Sequence, residues 1–107
     1  MRTVFPELSA LALNAVDAAC ELGILKRMNR IAEVLLAELG TAGMAQCQSH
    51  AVDTVRGWAC FMIGAQSALS LRARLDAIRP LADDAHFGVR EWAWMAMRPH
   101  LAQELDA

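Results

Sequence analysis

The chain has 107 residues, the length of one domain with one core. Its hydrophobic share of 56% exceeds the roughly 45–50% of ordinary soluble domains, and the excess is mostly Ala, Leu and Met, with β-branched and aromatic residues scarce and Tyr absent. A net charge of −2 excludes a general polyanion-coating protein, which needs a basic excess, and the composition predicts an all-α fold.

In chain order, Pro6 suits a first helical position, and Leu8, Leu11, Ala12, Ala15 and Ala19 form a 3.6-residue stripe that Gly23 can end. A helix over about 6–22 follows. Ile24, Met28, Ile31 and Leu35 make the next stripe, flanked by Leu25, Ala32, Leu36 and Leu39, and Gly40 closes it. So wide a stripe is buried on two sides. A short helix is expected over 43–49, Asp53 is the expected N-cap of a helix over 54–66, and Ser70 that of a helix over 71–82. The last helix runs from about His86 to Leu105. Pro99 lies inside it and is expected to kink or break it, because the ring removes one backbone hydrogen bond.

Val55-Arg56-Gly57-Trp58-Ala59 matches Val89-Arg90-Glu91-Trp92-Ala93 at a constant offset in numbering, Val89 answering Val55. A short apolar helix and a polar turn precede each block: His50-Ala51-Val52-Asp53 before the first, Asp83-Asp84-Ala85 before the second. The unit is helix, turn, helix. A period of this length is that of stacked α-solenoids, in which no helix pair can bury its apolar face alone. The organisation expected is a single helical-repeat domain over 1–107, with an N-terminal helical pair at 1–42 and repeats at 43–68 and 69–107. The first helix is apolar on more than one side (Leu8, Leu11, Leu13, Val16, Leu22), so a homo-oligomer formed through the end helices is also expected.

Asp84, followed by Val89, Arg90, Ala93 and Met97, resembles the HEAT-repeat consensus. That resemblance implies a short α-α superhelix of five to six helices, in which turn aspartate and arginine hydrogen-bond along the stack as charge-assisted pairs. On it, Arg56 and Arg90 are structural. More specifically, HAVDTVRGWACFMIGAQ and RLDAIRPLADDAHFGVREWAWMAMRPHLAQELD resemble the bacterial DNA alkylation repair proteins built of HEAT-like repeats, over about residues 43–106. The resemblance implies a solenoid curved around duplex DNA and a glycosylase-type activity on cationic alkylated bases, without metal or cofactor. Aromatic and carboxylate side chains would stabilise the positive charge, the former through the ring face and the latter by Coulomb attraction.

Carried onto this chain, Glu91 is the candidate catalytic carboxylate, and Arg56, Arg90, Trp94 and Arg98 are the candidate DNA contacts. Glu91, Trp94 and Arg98, spaced by three and four, share one helix face. Trp58 and Trp92 sit beside the repeat alanine and are expected to pack. Glu91 also fits a plainer role, a solvated carboxylate favoured by the dipole at a helix start. Short length and acidic balance leave a second function open: a non-enzymatic helical-repeat scaffold that binds another protein.

The three cysteines, Cys20, Cys47 and Cys60, cannot all pair and form no metal-ligand doublet, which points to a reducing compartment, the cytoplasm. Cys47-x-x-His50 lacks a second ligand pair, so no metal is expected. The longest uncharged run, Gly57 to Leu71, falls short of the ~18 apolar residues of a membrane span. Pro6 and Glu7 interrupt any signal-peptide core. Lys26, Arg27 and Arg30 form a small basic cluster of the kind that usually makes a solvated helix face.

Overall fold

Local caps and one glycine set the helix boundaries. The computed structural model describes residues 5–66 and 69–106, with side chains as far as 103. It contains α1 (Ala10–Ala19), α2 (Ile24–Gln48), α3 (Asp53–Ala65), α4 (Leu71–Ala82) and α5 (Phe87–Asp106). Residues 1–4 and 107, and residues 67–68 at the expected join of the two repeats, lie outside the described residues, as do the side chains at the end of the last helix.

The first helix starts later than Pro6. Ser9 is its N-cap, its hydroxyl accepting the Ala12 N–H at 3.1 Å. A hydroxyl satisfies a donor that the first turn leaves orphaned, which a proline ring cannot do. Pro6 and Glu7 instead form the turn that leads in, with Phe5 and Leu8 buried on either side of it. Gly40 ends the first arm of α2 as expected: at φ 64° and ψ −156° it splits the helix in two, a conformation glycine adopts without Cβ strain. The second arm begins at once, at 41 rather than 43.

Asp53 is the first helical residue of α3, and Val52 holds the cap position. Asp53 Oδ1 still accepts the Thr54 N–H, at 2.7 Å, and its charge lies at the positive end of the helix dipole. Ser70 caps α4 as expected, accepting the Ala73 N–H at 3.1 Å. Pro99 does not break α5, which continues to Asp106. The missing N–H leaves the Met95 carbonyl without its helical donor, but the next residue ties the helix down: His100 Nε2 lies 2.7 Å from the Gly64 carbonyl of α3.

The middle of the molecule is α3, with Val55, Ala59, Cys60, Phe61, Met62 and Ile63 all buried. It packs between α2 (Met28, Ile31, Ala32, Leu35, Cys47) and α5 (Val89, Ala93, Ala96, Met97), while Ile78 and Leu81 of α4 complete the core. On the far side α1 covers α2 with Ala12, Val16 and Ala19. No polar or charged residue is buried among the described residues. The radius of gyration, 13.3 Å, matches the ~13 Å of a compact globule of this length, so two stacked pairs curl into a globule rather than an open spiral. The chain is an all-α helical-repeat fold, with no strand among the described residues. None of its described helices is long and apolar enough to cross a membrane.

Candidate functional site

The two matched blocks lie side by side, on α3 and α5, and three small residues of α3 make that approach close. An added Cβ on Gly57 would strike the Trp92 ring and come within 2.9 Å of Met28 Cε, so α2 and α5 meet over this glycine. Cys60 Sγ lies 3.9 Å from the Val89 carbonyl. Gly64 faces Ala96, whose carbonyl oxygen would stand 3.1 Å from a Cβ there. Trp92 is therefore a packing residue, partly buried against the core, and Trp58 is another.

A polar ladder runs along the turns. Arg56 Nη1 donates to the carbonyls of His50 and Ala51, at 3.0 Å each, and closes its own turn. Its Nε and Nη2 reach across to Asp84 of the next turn, at 2.7 and 3.0 Å, a bidentate pair. This hydrogen-bonded guanidinium holds the Asp84 carboxyl below the ordinary carboxylate range, and Asp84 raises Arg56 in return. Asp84 Oδ1 also accepts the His86 N–H at 2.9 Å, and one repeat earlier His50 Nδ1 does the same for the Val52 N–H at 3.0 Å. A second rung joins His86 Nε2 to Asp53 Oδ2 at 3.0 Å. Because His86 Nδ1 accepts the Gly88 N–H at 3.1 Å, the proton sits on Nε2 and points at Asp53.

Of the sequence-derived site residues, Arg56 is thus engaged inside the fold; an outside phosphate would have to displace Asp84. Arg90 closes its own turn through the Asp84 and Ala85 carbonyls, at 2.7 and 3.3 Å, and is otherwise exposed. Glu91, Trp94 and Arg98 are all exposed on α5. One repeat earlier, the same positions are held by Gly57, Cys60 and Gly64. On α3 that face is small and covered by the next helix; on α5 it carries a carboxylate, an indole and a guanidinium, with Trp94 at 59% exposure.

The tertiary structure adds a neighbour that one-dimensional reading missed. Leu25, at the start of α2, lines a cleft of about 420 Å³ with Met95, Arg98, Pro99 and Ala102 of α5. Lys26, the next residue in sequence, is exposed. The other members of the basic cluster have partners: Arg27 donates to the Leu22 carbonyl at 3.3 Å, and Arg30 pairs with Glu33 at 3.2 Å. A sequence signal for Leu25 existed only as an apolar residue flanking the second stripe, far along the chain from Arg98.

Elsewhere the chemistry is quiet. Cys47 and Cys60 are buried, which pushes their thiols up to about 11 and about 12, and Cys20 is exposed. No group of three His, Cys, Asp or Glu side chains converges on a metal-sized site among the described residues. No family model, no curated protein and no solved structure matches the chain.

Proposed function

We propose that the chain is a DNA-binding helical-repeat unit of the alkylation-repair type. Arg98 takes backbone phosphate, while Trp94 offers its ring face and Glu91 its charge to a cationic alkylated base. One observation carries this reading: Glu91, Trp94 and Arg98 stand exposed at positions where the packing logic of the repeat uses Gly57, Cys60 and Gly64. Fold economy does not call for three large functional side chains there. An indole face attracts cations most strongly of the aromatic rings, and a nearby carboxylate favours charge that grows as a glycosidic bond breaks.

The test is titration of duplex DNA, with and without a cationic alkylated purine, followed by anisotropy and by base release. Arg98→Gln is expected to weaken binding to all duplexes and lower the salt slope by about 1. Trp94→Ala is expected to remove the preference for the alkylated duplex, a loss on the order of 1–3 kcal/mol if one base stacks on it. Glu91→Gln is expected to abolish release while sparing binding. Absence of salt-dependent binding at low ionic strength overturns the reading. A protein-binding scaffold then takes its place, a reading favoured by the exposed apolar side chains of Leu75 and Trp94, which line one cleft.

A further inference from the structure

Arg90 repeats Arg56, but among the described residues its outer partner is missing. The same hook holds both guanidinium groups: Nη1 on two carbonyls of the preceding turn, five and six residues back. With that edge fixed, Nε and Nη2 form an oriented fork. On Arg56 the fork is filled by Asp84, which the next helix pair delivers. On Arg90 no described residue fills it. Beside it, Leu75, Ile78 and Ala82 of α4 and Met97 and Leu101 of α5 line an apolar cleft of about 290 Å³ that reaches Arg90 and Trp94.

We infer that the α4–α5 face docks one further helix pair, whose entry turn supplies an aspartate to the Arg90 fork and whose apolar side covers the cleft. Charge complementarity selects this occupant. A planar guanidinium held in place takes a carboxylate through two parallel bonds, and the molecule already contains that pairing once, at the matching position of the preceding repeat. The apolar wall beside the fork matches a helix face better than it matches a phosphate chain. Bulk sets a condition on the partner: α5 carries Glu91, Trp94 and Arg98 where α3 carries Gly57, Cys60 and Gly64, so the incoming helix needs a small residue where α5 itself has Trp92. The inference goes beyond the DNA reading and rests on other atoms, Arg90 and the α4 side, with Trp94 at the border of the two surfaces.

The test lengthens the chain with a second copy of its residues 74–107, joined after 107, in which the copied tryptophan of position 92 is alanine. The copied aspartate then stands as far along the chain from Arg90 as Asp84 stands from Arg56. A second lengthened chain keeps the copied tryptophan and carries Glu91→Gly, recreating the nest at Gly57. Side-chain NMR of the arginine Nε–H groups is the readout, with Arg90→Gln for assignment. In at least one lengthened chain the Arg90 Nε–H is expected to shift downfield and exchange slowly, the behaviour also expected of the Asp84-bound Arg56, and the thermal midpoint to rise by about 4 °C or more. Both effects are expected to vanish when the copied aspartate becomes asparagine. Three results overturn the inference: neither lengthened chain moves the Arg90 signal; the original chain moves it on concentration, so that a second copy fills the fork; or unmodified duplex DNA moves it, so that phosphate does. Duplex binding through Arg98 and Trp94 is read separately by anisotropy, so either proposal can fail alone.

Discussion

Replacing Gly57 by alanine tests the repeat junction most directly, because two opposing effects of known size meet at one atom. In an exposed helix interior the change stabilises by about 1 kcal/mol, since alanine loses less backbone freedom on folding. Here the new methyl would overlap the Trp92 ring, reaching 2.7 Å from Cζ3, and would stand 2.9 Å from Met28 Cε. The Met28 thioether can swing aside, although the residue is only 1% exposed. The tryptophan has less room, because the same ring packs against the core. Overpacking of this kind costs about 1–3 kcal/mol, and two contacts at once put this site near the upper end. The net expectation is a destabilisation of about 2 kcal/mol, seen as a midpoint lowered by about 10 °C in thermal melts followed by far-ultraviolet circular dichroism. A Gly57→Ala/Trp92→Leu double variant is expected to lose less than the sum of the two single changes, because removing the ring removes the collision. A Gly57→Ala variant that melts above the parent would refute the reasoning, and with it the nesting of α3 on α5.

The two tryptophans of the second repeat block are expected to behave oppositely: Trp92→Ala costs about 3–5 kcal/mol, while Trp94→Ala stays within about 0.5 kcal/mol, as urea titration of each variant would reveal. Asp84, held below the ordinary carboxylate range by Arg56, contributes stability that is complete at neutral pH and is lost as pH falls below about 4 through its folded value. Asp84→Asn should therefore lower the midpoint at neutral pH and flatten its fall in acid, below about pH 4; an unchanged acid slope would contradict the ladder. Of the three thiols, Cys20 is expected to react with a disulfide reagent in mild alkali within minutes, and Cys47 and Cys60 only on unfolding, because burial raises both, to about 11 and about 12. Fast reaction of all three in the folded protein would show that the α2–α3 core opens readily.

Much of the local architecture is written in the order of the residues. Apolar spacing marks the helices, Ser70 announces a cap, Gly40 a break, and the constant offset between the matched blocks pairs α3 with α5, because all of these depend on backbone sterics and on neighbours a few residues away. Where two local signals compete, tertiary contacts chose. Ser9 outranked Pro6 because, besides capping the helix with its hydroxyl, it donates its N–H to Glu38 of α2 at 3.1 Å, and α5, running through Pro99, is pinned to α3 at Gly64. The site depended still more on the stack. Arg56 and Arg90 sit in near-identical sequence and make the same turn contacts, yet among the described residues only Arg56 has its carboxylate, since the turn that delivers Asp84 packs beyond α3. Likewise nothing in the linear order joins Leu25 to Arg98; only the folded arrangement of α2 and α5 on either side of Gly57 brings them to one cleft. A periodic sequence specifies which faces are apolar, whereas which faces meet is settled by the packing of one helix pair on the next.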